Sequence, residues 1–381
     1  MDKDQRATGP KAPQISETTS TSTDVSRFVR DDVRALIGYS TGEQQHGFLK
    51  LNTNESAYPP SPAVRTALLA LGDDAFRLYP NPVSRRLCEV AATVYGVKSE
   101  QLLAGNGSDD CLTVLYRTFL SVGDFAACPW PSYGLYDTLA GIQGARIVHV
   151  DYPRRADGTV TDWTLPDALA TTGARLTLVA NPNNPSSTLD SVASLRRLAD
   201  RLEGILVVDE AYVDFALGLD PNASMLPHLD AHPNLVVLRT FSKSYSLAGA
   251  RLGLMFAAPT LIAQMNKVKD SYNVNALTQA AGVAALEDRA HHADLVARTL
   301  SEKARLEREL RAFGWSWPPA FGNFLLCHVG PDARRVYEAV RARKILLRYW
   351  DTPQLCHSIR ITIGTPEQND ALLAVLRDVM A

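Results

Sequence analysis

This 381-residue chain contains four short apolar segments, each followed at once by polar residues. No other feature of the sequence constrains the fold as strongly. The segments are residues 125–128, 176–180, 205–208 and 236–238. Their length and β-branched content indicate strands buried on both faces, as in a parallel sheet. Helical patterns such as 192–202 alternate with them, which favours crossover helices and an α/β fold. Because the carboxyl ends of parallel strands share one edge, we expect the four polar clusters to meet there.

The cluster after 236–238 contains a lysine between hydroxyl side chains. Thr240 and Ser242 precede Lys243, and Arg251 follows after a segment of small residues. A lysine that forms a Schiff base must lose its proton, so it needs burial or a cationic neighbour that lowers its pKa. Hydroxyl groups and an arginine close by are typical of an anion site. The stretch alone leaves a catalytic lysine and a solvated loop lysine equally open.

An acidic residue, Asp209, directly follows the apolar segment 205–208. A carboxylate at the end of a buried strand destabilises the fold unless it is paired, so we expect a buried cation beside it. A helix N-cap or a surface acid is the alternative. Tyr212 and Asn184, at neighbouring strand ends, could donate to one small anionic oxygen. Tyr133 follows the first segment and could stack on a flat ring.

A glycine-rich turn, Gly-Asn-Gly-Ser-Asp-Asp at 105–110, precedes the helical run 111–120. Such a turn presents free backbone N–H groups and the positive end of a helix, which suits a phosphate. It is not a Walker loop, because no Gly-Lys-Ser/Thr follows. Asp109 and Asp110 would oppose a phosphate unless their side chains turn away. An ordinary helix N-cap and a phosphate site remain equally open.

These parts together match one cofactor. A Schiff-base lysine, an acid suited to a ring cation, a stacking aromatic and phosphate donors fit pyridoxal phosphate, whose ring nitrogen stays protonated beside a carboxylate. The sequence therefore predicts a pyridoxal-phosphate enzyme.

Beyond residue 260 long helical patterns precede two strand-like runs, 323–329 and 359–363, which predicts a second, smaller lobe. Arg348 follows an apolar run and Arg360 interrupts another. Charges within apolar strands need acidic partners or anionic ligands. We expect both arginines to be buried near the cleft and to bind a doubly anionic substrate. Two structural ion pairs are the alternative.

Composition excludes several other classes of function. The formal net charge is -2, whereas a nucleic-acid-binding domain is usually basic. No apolar run is long enough to span a bilayer. The five cysteines are scattered without C-x-x-C spacing, which indicates reduced thiols in a cytoplasmic protein. No metal is expected, since H-E-x-x-H spacing is lacking, and the G-x-S-x-G hydrolase motif is missing too.

Three motifs resemble those of the pyridoxal-phosphate aminotransferases of fold type I. They are Asn-Pro-Asn-Asn-Pro at 181–185, Val-Asp-Glu-Ala-Tyr at 208–212 and Thr-Phe-Ser-Lys at 240–243. Within this family the chain resembles the histidinol-phosphate aminotransferases, in the segments 51–55, 244–249, 269–274, 345–350 and 360–365.

The resemblance implies a homodimer with shared active sites. Each subunit would have a large domain, whose mostly parallel seven-stranded sheet lies between helices, and a smaller α+β domain. The expected divisions are a disordered tail at 1–25, an arm at 26–57 on the small domain and partner subunit, the large domain at 58–270 and the small domain at 271–381.

The resemblance also implies a role for each candidate residue. Lys243 would carry the cofactor, Asp209 would hold its ring nitrogen, Tyr212 and Asn184 would bind its phenolic oxygen, and Tyr133 would stack on the ring. The cofactor phosphate would be held by the backbone at Ser108 and Asp109, by Thr240, Ser242 and Arg251, and by Tyr58 of the other subunit. The residues expected to bind substrate are Tyr39, Tyr272, Arg348 and Arg360.

The implied reaction belongs to histidine biosynthesis, where L-glutamate and imidazole-acetol phosphate give 2-oxoglutarate and L-histidinol phosphate. The residues leave open which arginine takes which anionic end. An aromatic or broad-specificity aminotransferase is the first alternative, because segments 54–58 and 185–188 depart from the family pattern. A threonine-phosphate decarboxylase is the second. A pyridoxal-phosphate-sensing regulator is set aside, since the short polar tail leaves no room for a winged helix.

Overall fold

The computed structural model describes residues 25–39 and 41–380, so the tail expected at 1–25 lies outside the described residues except for Val25. The strands are β1 (Leu49–Lys50), β2 (Leu102–Gly105), β3 (Phe125–Trp130), β4 (Arg146–Asp151), β5 (Leu176–Ala180), β6 (Ile205–Asp209), β7 (Leu235–Thr240), β8 (Gly253–Ala257), β9 (Phe324–His328), β10 (Ile345–Leu346), β11 (Arg348–Tyr349) and β12 (Ser358–Thr362). The α-helices are α1 (Asp31–Ala35), α2 (Pro62–Leu69), α3 (Asp74–Arg77), α4 (Arg85–Tyr95), α5 (Ser108–Phe119), α6 (Leu135–Gln143), α7 (Val192–Arg201), α8 (Val213–Leu217), α9 (Pro259–Met265), α10 (Ala276–Glu287), α11 (Arg289–Arg311), α12 (Ala333–Ala342) and α13 (Pro366–Met380).

A seven-stranded sheet in the order β2-β8-β7-β6-β5-β3-β4 forms the centre of the large domain. β8 is antiparallel to both of its neighbours, and the other pairs are parallel. The prediction of a mostly parallel α/β sheet is confirmed. The ladders continue to Asp209 in β6 and Thr240 in β7, so each of these polar residues is the last residue of its own buried strand.

Helices cover both faces of this sheet because successive strand residues point to opposite sides. Val208 and Val237 pack against α4, α7 and α10 on one face. Val207 and Leu238 pack against α5 and α6 on the other. The result is a three-layer domain whose strand ends are fixed by two cores.

The small domain has its own core around the antiparallel sheet β11-β12-β9. The expected junction at residue 271 is too early, because α10 packs on α2 and α4 of the large domain. Small side chains allow this close packing, and Gly282 lies directly against Leu252 and Leu87. Of the helices after α9, α11 is the first to contribute to the small-domain core, through Leu306 and Leu310.

The arm divides between the two domains. In its first part Arg30 donates to the carbonyl of Ile142 (3.1 Å), and α1 packs on α6 of the large domain. Its second part joins the small domain, where Glu43 pairs with Arg341 (2.7 Å) and β1 runs parallel to β10. The contacts of the arm with the small domain thus come from this second part. Within the ranges given above, no helix combines the length and apolar character that a membrane crossing requires.

Candidate active site

The carboxyl ends of β5, β6 and β7 meet at one edge of the large sheet, next to the arm. Lys243 lies in the turn that follows β7, and its Nζ donates to the carbonyl of Thr53 (3.1 Å). The same Nζ is 5.5 Å from the centre of the Tyr212 ring. The arm therefore closes one side of the space around the lysine.

Asp209 is buried, with 5% of its surface exposed, and only neutral groups donate to its carboxylate. They are the Tyr136 hydroxyl (3.0 Å) and the Ala211 N–H (3.2 Å). Burial raises the pKa of Asp209 to about 6. No Lys, Arg or His of the described residues forms an ion pair with it, so these residues do not supply the buried cation expected beside it. The carboxylate remains available to a cationic N–H group of a ligand.

Two donors are turned toward the same space by contacts on their far sides. The Tyr212 hydroxyl accepts a hydrogen bond from Asn54 Nδ2 (3.1 Å), so its own hydrogen is left to donate elsewhere. Asn184 Oδ1 accepts from Arg360 Nη1 (2.5 Å), which leaves the Asn184 NH₂ group to donate. Tyr133 lies edge-on to Tyr136 at 5.6 Å between ring centres. This arrangement suits a small anionic oxygen beside an aromatic ring.

A cup of anion-binding groups lies at the start of α5. The helix begins at Ser108, three residues earlier than predicted, because Gly107 adopts φ 89° and turns the chain into it. A Cβ atom on Gly253 would lie 2.4 Å from the Ser108 nitrogen, so only glycine allows this approach. Asp110 accepts from the Asn106 N–H (2.8 Å), so its carboxylate is used at the helix start. The free N–H groups of this first turn suit a phosphate.

Side chains from other elements complete the cup. The Thr240 hydroxyl donates to Ser242 Oγ (3.0 Å), and Arg251 Nη1 lies 3.5 Å from the same oxygen. Arg251 also forms an ion pair with Asp109 Oδ2 (3.0 Å), and the Tyr133 hydroxyl donates to the other oxygen of that carboxylate (3.2 Å). Five predicted phosphate-site residues of this chain therefore lie together.

Arg360 is 6% exposed and has no carboxylate within ion-pair distance among residues 25–39 and 41–380. Its Nη2 donates to the carbonyl of Asn52 (2.7 Å), and its Nε has no protein partner. Burial lowers its pKa to about 10, so the group still carries its charge at neutral pH. The alternative of a structural ion pair is wrong for Arg360.

Arg348 lies beside Arg360, because β11 and β12 place the two residues opposite each other. It is only half-buried, which corrects the expectation of two buried arginines, and its Nη1 donates to the carbonyl of Thr41 (3.2 Å). Both guanidinium groups contact the Trp350 ring, with their central carbons 5.0 and 5.2 Å from its centre. Arg348 and Arg360 together form a positively charged surface beside Asn184.

The three remaining predicted tyrosines have different positions. Tyr39 reaches the site, where its ring lies edge-on to Tyr133 at 5.6 Å. Tyr272 instead stacks on Tyr79 at 4.4 Å, and no described contact links it to Lys243. Tyr58 does not join the cluster of its own chain and lies under the guanidinium of Arg298 at 4.0 Å. Of the three, only Tyr39 lines the site within one chain.

Sequence reasoning missed several residues that support the site. Tyr136 lies in the first turn of α6, whereas Tyr133 precedes that helix, so helical periodicity does not link the two residues. Arg239 interrupts an apolar strand, as Arg360 does, and pairs with Glu210 (2.8 Å) and Asp214 (2.9 Å). Asn54 carried no such signal. Its role depends on contacts with residues far along the chain.

Comparison with known proteins identifies the family. The family model described as "Aminotransferase class I and II" matches residues 46–376. The chain belongs to this family. The aminotransferase is 40% identical to the histidinol-phosphate aminotransferase of Syntrophotalea carbinolica, over 92% of this chain and 99% of that protein. It is 38% identical to histidinol-phosphate aminotransferase 1 of Trichormus variabilis, over 93% and 100%.

A solved structure is also similar to the whole aminotransferase. The histidinol-phosphate aminotransferase of Sinorhizobium meliloti, in complex with pyridoxal-5'-phosphate, matches it with a TM-score of 0.82 and 26% identity, over 92% of this chain and 97% of that one. The fold is therefore that of the fold type I enzymes, and the cofactor of this aminotransferase is pyridoxal 5'-phosphate.

Proposed function

We propose that this aminotransferase moves an amino group between L-glutamate and imidazole-acetol phosphate, giving 2-oxoglutarate and L-histidinol phosphate. The observation that carries the proposal is Arg360, a buried cation beside Arg348 that has no acidic partner among the described residues. L-glutamate and L-histidinol phosphate, the amino donors of the two reaction directions, are both anionic. A buried guanidinium favours carboxylate or phosphate. The names of the relatives support this choice of substrate.

The chemistry of the donors fits the cofactor. The Asp209 carboxylate, which lacks a protein cation, would hold the protonated ring nitrogen. The N–H groups of Ser108 and Asp109, with Arg251, would hold the phosphate. When bound, pyridoxal phosphate withdraws electrons from the carbon that carries the amino nitrogen.

The remaining contacts define what the side chains around the ring do. Tyr212 and Asn184 would donate to the phenolic oxygen of the cofactor, and Tyr133 would cover one face of the ring. Lys243 Nζ would bind the cofactor aldehyde. With a substrate amine in its place, the same Nζ would be the base that takes a proton from the substrate carbon next to nitrogen and the acid that returns one. Its bond to the Thr53 carbonyl keeps it at this edge.

The substrate's anionic groups would be held by the two arginines. Arg360 Nε has no partner among the described residues, while Nη1 and Nη2 donate to Asn184 and Asn52, so the guanidinium is oriented before the substrate arrives. Arg348 adds charge at a more exposed position, and Tyr39 lines the site beside Tyr133. A ligand with anionic groups at both ends would use this geometry best.

A homodimer with shared active sites is part of the proposal. The segment from α2 to α4, with Tyr272 beside it, leaves large apolar side chains exposed, and such patches mark interfaces. They are Leu69, Phe76, Leu78, Tyr79, Val83 and Tyr272. Tyr58 would reach the phosphate of the second subunit's cofactor. The five free cysteines support a cytoplasmic location.

Steady-state kinetics test the proposed substrate. The purified enzyme receives glutamate as donor and imidazole-acetol phosphate or phenylpyruvate as acceptor. We expect the larger kcat/KM with the imidazole phosphate, because its phosphate meets the paired arginines. Greater efficiency with phenylpyruvate would overturn the assignment in favour of an aromatic aminotransferase. Carbon dioxide release from threonine phosphate without a keto acid would indicate the decarboxylase.

A further inference from the structure

Asn54 makes more contacts than a linker residue requires. It is 1% exposed and adopts φ 56°, a left-handed conformation that asparagine tolerates better than most residues. Its Nδ2 donates to the Tyr212 hydroxyl (3.1 Å). Its backbone carbonyl accepts from Asn323 Nδ2 (3.2 Å). The arm residue is thus fixed between the two domains, directly behind the tyrosine of the proposed site.

Thr362 decides which way the Asn54 amide points. The threonine hydroxyl accepts from the Asn54 backbone N–H (3.0 Å), so its own hydrogen goes to Asn54 Oδ1 (2.9 Å). With Oδ1 held there, the NH₂ group must face Tyr212. The direction of the hydrogen bond to the tyrosine follows from this pair, because an amide oxygen at that position would instead accept the tyrosine's hydrogen.

We propose that Asn54 is a positioning residue that orients the Tyr212 hydroxyl as a donor. The hydroxyl has one hydrogen, and a donor on its oxygen leaves that hydrogen directed into the site. A chain of hydrogen bonds also polarises each member, which strengthens the last donor. The inference rests on the proposed role of Tyr212 at the phenolic oxygen of the cofactor.

This role has a consequence that a purely structural role lacks. A hydrogen bond donated to the phenolic oxygen favours the form in which that oxygen carries negative charge. The nitrogen bonded to the cofactor then holds its proton less tightly. Weakening the Tyr212 donor should therefore raise the pH midpoint at which the visible absorbance of the bound cofactor changes.

A double-mutant cycle on this midpoint tests the inference. Asn54→Gly keeps the left-handed backbone and removes the amide, and Tyr212→Phe removes the hydroxyl. We expect each single variant to raise the midpoint, by about half to one pH unit for Asn54→Gly. In the Tyr212→Phe background, Asn54→Gly should add almost nothing. Full additivity of the two shifts would contradict the proposal.

Thr362 supplies an independent pair of variants. Thr362→Val removes the hydroxyl that fixes the amide and should raise the midpoint, whereas Thr362→Ser keeps the hydroxyl and should leave it unchanged. Equal midpoints for the two variants would overturn the proposal even if Asn54→Gly fails to fold. A wild-type enzyme whose bound cofactor shows no titrating visible band would refute the assignment of the cofactor site instead, so the two failures are distinguishable.

Discussion

At the scale of single residues, Asp209 shows most directly how the fold prepares a site for its ligand. The end of a buried strand is a costly place for a carboxylate, and neutral donors offset only part of that cost. The raised pKa is the sign of this imbalance. A ring cation would remove it, so the residue should oppose folding without the cofactor and favour cofactor binding.

The first prediction concerns the pH dependence of this cost. With the folded-state pKa raised from 3.8 to about 6, the folded apoprotein binds more protons than the unfolded chain between these values. The contribution of Asp209 to the stability of the apoprotein therefore falls as pH rises through that window. We expect Asp209→Asn to stabilise the apoprotein at pH 7.5 by about 1–3 kcal/mol and to have little effect near pH 4. Urea unfolding at both pH values measures this.

The same variant has a built-in control. Saturating pyridoxal phosphate should stabilise the wild type much more than Asp209→Asn, because the amide cannot pair with a ring cation. A variant that is less stable than wild type as apoprotein at pH 7.5, or that gains equal stability from the cofactor, would contradict this account of Asp209.

At the scale of elements, a buried ion cluster ties the ends of the strands to the helix after them. Arg239, the penultimate residue of β7, pairs with Glu210 after β6 and with Asp214 on α8. Ser244, next to the proposed cofactor lysine, donates to Asp214 as well. The cluster thus joins the segments that carry Asp209, Tyr212 and Lys243.

The second prediction follows from the burial of these charges. Removing one partner of a buried ion pair leaves the others uncompensated, which typically costs about 3–5 kcal/mol. We expect Arg239→Met to lower the free energy of unfolding by this amount in urea denaturation. Arg377→Met is the matched control: its pair with Glu309 is exposed, so a loss under about 1 kcal/mol is expected. Equal losses for the two variants would show that the cluster does not brace the site.

Local chemistry made part of this architecture predictable. Serine is a common helix N-cap, and at the start of α2 the Ser61 hydroxyl accepts from the Ala63 N–H (3.0 Å). The strand ends were predictable because apolar runs stop where polar residues begin. The start of α5 was not, since it depends on the backbone turn at Gly107 and not on helix propensity.

Longer-range relations could not be read in the same way. Asn54 and Thr362 are 308 positions apart in sequence, and only the folded chain brings them together. The domain junction was placed too early because α10 has an apolar pattern that suits either domain. The side chains that α10 packs against, such as Leu87 and Leu252, place it in the large domain.

At the scale of the whole molecule, the exposed apolar segment supports the proposed dimer. Phe76 is 71% exposed and Tyr79 is 80% exposed, which is unusual for large apolar side chains. In the proposed dimer, Tyr58 would bind the cofactor phosphate of the neighbouring subunit. Assembly and catalysis should therefore fail together.

The third prediction separates the dimer from the folded subunit. Phe76→Asp combined with Tyr79→Asp should give monomers in analytical ultracentrifugation and remove most of the activity, because charges cannot be buried in the interface without partners. Val122→Asp, at an exposed residue just before β3, is the control and should stay dimeric and active. A double variant that keeps the dimer mass would place the interface elsewhere.

The central claim is that Lys243 holds the cofactor beside Asp209. Borohydride reduction of the enzyme loaded with pyridoxal phosphate, followed by peptide mass spectrometry, tests it most directly. We expect the reduced cofactor on the peptide that contains Lys243, and none on Lys243→Ala treated in the same way. Labelling of a different lysine, or equal labelling of the variant, would contradict the account.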